Sequence, residues 1–235
     1  MFSVARSEKL EIAAGAVNVV FTDRSDGDFA VALPPAEIEE RRCRIVDAPW
    51  TWLRQVHGAD LVSVDRPGHW AGTEADGAIT SAADCPLAIM TADCAPVVLV
   101  SDAGVAVVHA GWRGLASGII ENAADRLREL GGMPRQSLIG PCINAGVYEF
   151  GEQDLSLLID AYGPDVGAET TWGTPSLDVP ATVASACRRA GWPVPSEPPP
   201  CTSDERWYSH RTRSEPGRQA TVVWIDSPSE AGVGS

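Results

Sequence analysis

The 235-residue sequence predicts an α+β fold. Three observations carry that reading. Short apolar, β-branched runs recur along the chain, among them VNVVFT, PLAIM, APVVLV, VAVVHA and QATVVWID. Helical patterns lie between some of these runs, but without the regular strand–helix–strand alternation of a doubly wound sheet. No internal repeat and no composition break divides the sequence, so residues 1–235 read as a single domain, long enough to bury a sizeable core.

Taken in order, residues 17–22 (VNVVFT) predict a strand and DRSDGD a loop. PPAEIEERRCRIVDA predicts a helix with proline in its first turn. WTWLRQVHGADLVSVD predicts two strands joined by a tight turn at His57-Gly58. ADGAIT leads into PLAIMTADCAPVVLVSD, two apolar runs interrupted at Thr-Ala-Asp-Cys, which places Cys94 at a break between strands. VAVVHAGWRGLASGIIENAADRLREL predicts strand, glycine turn and amphipathic helix, with Ile119, Ile120, Ala123, Ala124 and Leu127 on the apolar face. LIGPCINAGVYEFG predicts a strand ending in a Gly-Pro turn. EQDLSLLIDAYG and VPATVASACRRAG predict helices, the second stopped at Gly191. WPVPSEPPP reads as a connector, WYSHR and QATVVWID as a last pair of strands, and residues 228–235 as a mobile tail.

Composition narrows the function classes. A hydrophobic fraction of 44% and a charged fraction of 21% suit a soluble globular chain. The net charge of -14 argues against nucleic acid and against an anionic membrane surface as partners. An acidic chain that handles an anionic substrate must gather its arginines locally. The N-terminus lacks a basic segment followed by an apolar run, and no stretch is long enough to span a bilayer, so a cytoplasmic location with reduced thiols is expected. The six cysteines, Cys43, Cys85, Cys94, Cys142, Cys187 and Cys201, form no CxxC and no compact disulfide framework. Most of them read as small buried residues.

The chemistry concentrates in three strings: QVHG at His57, TADC at Cys94 and HAGWRG at His109. Two of only four histidines sit in glycine-punctuated motifs with a cysteine motif between them. Two imidazoles and a thiol suit a three-ligand metal site with an open position, which can activate water or polarise a substrate. The same residues also suit a Cys–His nucleophile pair. Gln55 is a candidate to hold the His57 tautomer or to touch substrate. Arg113, in a glycine turn opening a helix, is a candidate anion-binding residue, and His210 in WYSHRTR is another. Asp93 is a candidate proton relay; as a carboxylate it would raise the pKa of a lone neighbouring thiol, whereas a bound metal would deprotonate that thiol. Cys85, in the near copy ADCP, precedes its strand and reads as structural, and His69 as an exposed loop residue. A multicopper oxidase is excluded, because four histidines with no HxH pair cannot build a trinuclear cluster beside a mononuclear site.

In sequence order FTDR, RQVHG, ADGAIT, TADCAPVVLV, HAGWRG, IGPCI, YEFG and YSHRTR…GR resemble the YlmD/YfiH-like proteins over about Val19 to Ile225. Members of that group have been called laccase-domain or polyphenol-oxidase-like proteins, peptidoglycan editing factors and purine nucleoside phosphorylases. The resemblance implies a layered α/β/β/α sandwich and a metal, zinc or sometimes copper, on His57, Cys94 and His109. It implies phosphorolysis of adenosine, inosine, guanosine or methylthioadenosine, and deamination of adenosine. Purine nucleoside and inorganic phosphate are then the expected partners, with Arg113 and Arg211 on the phosphate. The alternatives it implies are a cytosolic amidase that removes wrong amino acids from cell-wall precursors, and a polyphenol oxidase side activity with copper. Two segments depart from the family: SDGDFA follows Arg24 in place of a GGVS-type loop, and SHRTRSEPG stands for SYRRDG. Both are expected to border the pocket.

Overall fold

A computed structural model describes residues 6–227; the tail expected at 228–235 lies outside the described residues. The chain forms β1 (Arg6–Ile12), β2 (Gly15–Phe21), α1 (Pro35–Ile45), β3 (Thr51–Trp52), β4 (Leu61–Val64), β5 (Gly77–Thr80), β6 (Leu87–Thr91) and β7 (Ala95–Ser101). It continues through β8 (Val105–Ala110), α2 (Trp112–Ala116), α3 (Ile119–Glu129), β9 (Pro134–Ile139) and α4 (Glu152–Tyr162). It ends with β10 (Gly167–Glu169), β11 (Pro175–Leu177), α5 (Val179–Arg189), α6 (His210–Arg213) and β12 (Gln219–Ile225). Among the described helices, none is long and apolar enough to cross a membrane.

Two five-stranded sheets stack face to face, in the orders β1-β2-β12-β6-β3 and β4-β5-β8-β7-β9. The central strands β6, β7 and β8 are buried at every position because both of their faces are covered. Leu87 and Ile89, Val98 and Val100, Val105 and Val107, and Val223 and Ile225 fill the space between the sheets. The alternate residues point outward. Val97, Leu99, Ala106 and Val108 meet α2 to α5, including Ile119, Ile120, Ala123, Ala124 and Leu127 of α3, all buried. Ala88, Met90, Ala220 and Val222 meet Phe29, Trp50 and Ile45 at the end of α1. The result is the α/β/β/α sandwich, with one helix on one side and the remaining long helices on the other.

Several local expectations change. β3 and β4 are not a hairpin: β3 runs parallel to β6 in the first sheet and β4 parallel to β5 in the second. The segment between them crosses from sheet to sheet, and Gln55 explains how it leaves. Its amide donates to the Met90 carbonyl (2.8 Å) and accepts from the Met90 N–H (2.9 Å), so a side chain continues the pairing that the backbone has abandoned. WYSHR is not a strand. Ser209 caps the four-residue α6 by accepting from the Thr212 N–H, and Arg211 N–H donates to Asp93, so these amides are satisfied without a ladder. HAGWRG leads into α2, which is separated from α3 by Gly118 in the left-handed region (φ 76°). β1 and the β10–β11 hairpin are additional strands.

This topology decides where a site can form. β3 and β6 are parallel, β6 turns directly into β7, and β8 is antiparallel to β7. The C-terminal ends of β3, β6 and β8 therefore meet the start of β7 at one end of the sandwich.

Candidate active site

That end carries the three scarce side chains. His109 lies on β8 opposite Pro96, Cys94 ends the turn from β6 to β7, and His57 sits in the crossover after β3. Their ligand atoms all fall within 4.8 Å of one another. His57 Nε2 is 3.8 Å from Cys94 Sγ, and the two imidazole rings meet edge to face with centroids 4.7 Å apart. Gly111 makes room for the group: a Cβ there would stand 2.9 Å from His57 Cδ2 and 3.3 Å from Cys94 Sγ.

The organising residue is Asp76, which sequence reasoning passed over. It is fully buried just before β5. Its own carbonyl accepts the His109 N–H (2.7 Å), extending the β5–β8 ladder. That pairing sets its Oδ1 2.8 Å from His109 Nδ1. The same carboxylate accepts the N–H groups of Val56 (3.2 Å), His57 (2.9 Å) and Gly58 (2.7 Å). His57 has a left-handed φ of 61°, a conformation costing roughly 1–2 kcal/mol for an L residue. Asp76 holds it there, and a Cβ on Gly58 would lie 3.3 Å from the carboxylate. One acid thus fixes the turn that carries one imidazole and the orientation of the other. The only sequence signal was an aspartate at the mouth of the apolar string ADGAIT.

Electrostatics follow from the packing. Burial pushes the Asp76 carboxyl up, but the hydrogen bonds from His109 and Gly58 and the charge on His109 leave it below its ordinary value. Burial also pushes the Cys94 thiol up. The charge and hydrogen bond of His109, followed by those of His57, overcome this and bring it down to about 6. Burial alone would lower His109; the Cys94 thiolate and Asp76 instead raise it to about 9. The metal-free trio is thus a thiolate–imidazolium pair with Asp76 behind it.

The trio opens into a cavity of about 580 Å³, lined also by Gln55, Thr91, Asp93, Arg113, Tyr148, His210, Arg211 and Arg218. Arg54 lines it too but is engaged with Glu74 (2.9 Å), and Arg218 donates to the carbonyls of Pro216 and Gly217. The Arg113 guanidinium lies over the Trp112 ring (4.3 Å to the centroid) and makes no hydrogen bond or ion pair among the described residues. Arg211 lies over Tyr148 (4.8 Å) and reaches the Glu149 carbonyl at 3.3 Å. Both guanidinium groups belong to residues on the cavity wall. Among the described residues Asp93 is the one acid lining this cavity, and both of its carboxylate oxygens accept hydrogen bonds. Oδ1 accepts from Thr202 Oγ1 (2.6 Å) and Ser209 Oγ (2.7 Å), and Oδ2 accepts the Arg211 N–H (2.6 Å). Its role is therefore to fasten the segment around α6 to the site. The Gln55 amide faces Met90 instead of the His57 ring. The two departing segments border the cavity, the first through Ala30 and the second through His210, Arg211 and Pro216. Cys85 lies away from it in the inter-sheet core, and His69 pairs with Asp65 (2.6 Å).

The donor set fits a metal. Bonds of about 2.0 Å to nitrogen and 2.3 Å to sulfur need ligand atoms roughly 3.5 Å apart, which small shifts of the observed trio provide. A carboxylate on the far nitrogen of a ligating histidine is the usual supporting arrangement, and Asp76 supplies it for His109. Two imidazoles and a thiolate suit zinc or copper.

Comparison with known proteins agrees in fold and family. Residues 18–226 match the family model described as multi-copper polyphenol oxidoreductase laccase. A Streptomyces coelicolor protein named purine nucleoside phosphorylase is 36% identical over 196 residues, covering 81% of this chain and 81% of its own. A Neisseria meningitidis crystal structure superposes with a TM-score of 0.77 at 23% identity, over 94% of this chain and 99% of its own. The crystal structure of YlmD from Geobacillus stearothermophilus gives 0.74 at 23% identity, over 96% and 98%.

Proposed function

The chain belongs to the multi-copper polyphenol oxidoreductase laccase family, and from that premise we propose that it is a metal-dependent purine nucleoside enzyme, acting by phosphorolysis on adenosine, inosine, guanosine or methylthioadenosine and by deamination on adenosine. The observation that carries this is the convergence of His57, Cys94 and His109 at a cavity that Arg113 and Arg211 also line. The relative named purine nucleoside phosphorylase supports the substrate class. His57, Cys94 and His109 would hold zinc, with copper as the alternative. When bound, such a metal supplies Lewis acidity beside the reacting substrate.

In phosphorolysis an oxygen of hydrogen phosphate attacks the ribose anomeric carbon as the bond from that carbon to the purine breaks. Arg113 and Arg211 hold the phosphate, by charge and by the directed donors of guanidinium groups. Gly111 keeps the three side chains together, because a Cβ there would press on His57, Cys94 and His109. In deamination water adds at the purine six-position and ammonia leaves. The family description notwithstanding, a multicopper oxidation is a poor fit. The trio offers three ligands, His69 is engaged with Asp65, and His210 is on the cavity wall. Phenol oxidation is thus at most a side reaction of a copper-loaded site.

Purified protein of measured metal content, incubated with adenosine with and without phosphate, tests the reading. Adenine with ribose 1-phosphate, formed only with phosphate, is the outcome of phosphorolysis; inosine is the outcome of deamination. The absence of both products would overturn the proposal. It would move weight to amide hydrolysis of cell-wall precursors, for which the lowered Cys94 thiol is the specific support.

A further inference from the structure

Phosphorolysis requires a proton for the departing purine. The carboxyl of Asp93, beside Cys94, is turned to Thr202, Ser209 and the Arg211 N–H, which it fastens to the site. Tyr148 lines the same cavity. It follows a short 3-10 turn (Ala145–Val147), and its backbone is fixed at both ends. Its N–H donates to the Ala145 carbonyl (3.2 Å), and its carbonyl accepts from Ser176 Oγ (2.8 Å). The ring packs against Phe150 with centroids 5.4 Å apart and lies under the Arg211 guanidinium. Among the described residues, its hydroxyl has no hydrogen-bond partner. Cys94, Arg211, Asp93 and Arg113 are all near enough to act on that hydroxyl electrostatically. Burial, with the Cys94 charge, pushes the phenol up to about 12, so it is protonated at neutral pH. A partly buried donor without an acceptor among the described residues, on the wall of the cavity beside Arg211, is placed to donate to a bound ligand.

We propose that the Tyr148 hydroxyl is the proton donor to the purine as it leaves. This rests on the phosphorolysis reading above. The bond between the anomeric carbon and purine N9 breaks, its electron pair passes into the ring, and the Tyr148 proton goes to a ring nitrogen. The new bond joins the anomeric carbon to a phosphate oxygen. Hydrogen phosphate sheds its proton on becoming the ribose ester, and that proton restores the phenol, so atoms and charge balance.

The test is Tyr148→Phe assayed with two nucleosides. Because the hydroxyl has no partner in the fold, its removal leaves the ring packing intact. Inosine needs its base protonated. 7-Methylguanosine carries a cationic base that departs as a neutral molecule without a proton. Positioned general acids contribute about 10²-fold or more, so kcat on inosine should fall by at least that factor, with 7-methylguanosine phosphorolysis reduced no more than about threefold. KM for phosphate should stay unchanged. Equal losses on both nucleosides, or no loss on inosine, would overturn the assignment. Wild-type protein that splits neither nucleoside would remove the phosphorolysis reading itself, a separate failure read before any variant is made.

Discussion

Ala83-Asp84-Cys85-Pro86 and Ala92-Asp93-Cys94-Ala95-Pro96 are near copies at opposite ends of β6, and they have opposite fates. Both aspartates adopt a positive φ, 56° at Asp84 and 99° at Asp93. Both make a turn that carries the chain between sheets, β5 to β6 and β6 to β7. Both carboxylates fasten a C-terminal segment: Asp84 accepts the N–H and hydroxyl of Ser227, and Asp93 holds Thr202, Ser209 and the Arg211 N–H. The backbone device is the same. The cysteines are not. Cys85 is 1% exposed among aliphatic side chains, and burial pushes its thiol up. Cys94 lies between two imidazoles that pull its thiol down. The difference is topological. Only at the Cys94 end does β8 finish with a histidine and the crossover after β3 deliver another. Ala-Asp-Cys supplies a turn with a thiol and an aspartate at positive φ; the strand ends that converge on it decide whether the thiol is packing or chemistry.

The largest expected effect breaks the pair apart directly. Cys94→Ala removes the one anionic ligand, so the protein as purified should lose nearly all its metal and turnover should fall by about 10³-fold or more, the scale on which essential metal or nucleophile residues act. Cys85→Ala should keep both metal and turnover and lose about 1 kcal/mol of stability for its small core void. Elemental analysis and nucleoside turnover check the first variant, and urea unfolding the second. Retained metal and turnover in Cys94→Ala would mean that the two copies differ less than their surroundings.

Next in size is the charge that only the Cys94 end possesses. Arg113→Met keeps much of the stem that lies against Trp112 and deletes the cation. Loss of a charged hydrogen bond of about 2–3 kcal/mol should slow phosphorolysis about 10²-fold. Deamination, which uses water, should fall much less, so the ratio of the two rates reports phosphate binding. Equal loss of both would make Arg113 a general pocket wall. No loss would pass the phosphate to Arg211.

Asp76→Asn is a smaller perturbation of the same end. Supporting carboxylates of ligating histidines are worth about 10–100-fold in metal affinity, and chelator competition should show a loss of that order. Asn retains an oxygen for the Val56–Gly58 amides but no charge for His109, so a change of metal affinity beyond that of a generally destabilised protein is expected. Asp84→Asn, at the other end, should leave metal affinity untouched.

How much of this end could be read in advance depended on residue scarcity. His57, Cys94 and His109 stood out because few histidines exist and glycines flank them. Strands with both faces buried, such as β7 and β8, were readable as unbroken apolar runs. Asp76 was not, because an aspartate before a short strand looks like any turn residue until a ladder pairing places it beside His109. Tyr148 was hidden for the same reason: its meaning lies in Arg211 and Cys94, far away in sequence. The expected hairpin at His57 failed because periodicity says that two strands flank a turn, not that they join different sheets. WYSHR failed because Ser209 and Asp93 satisfy amides that an aromatic-rich string would otherwise offer to a strand.

The smallest expected effect concerns pH in chelator-treated protein, and it separates reactivity from stability. Cys94 titrates at about 6 in the fold against an ordinary 9.0, so its contribution to stability grows as pH rises from about 6 to 9 and is lost as pH falls through 6. His109 titrates at about 9 against 6.5, so its contribution is full below 6.5 and is lost as pH rises through 9. Over the shared window one group has released the proton the other has taken up. Folded and unfolded chains then bind nearly the same number of protons, and the two slopes cancel. The Tm of the metal-free protein should therefore change little on account of this pair between pH 6.5 and 9. Alkylation, which follows the thiolate, should not be flat. Iodoacetamide should modify Cys94 at a rate that rises with a midpoint near pH 6, while Cys85, buried and with its thiol pushed up, stays unmodified in the folded protein. Peptide mapping after timed alkylation reads both sites in one sample. A Cys94 midpoint at the ordinary thiol value would show that the two imidazoles do not charge it. The two copies would then differ only in their access to metal.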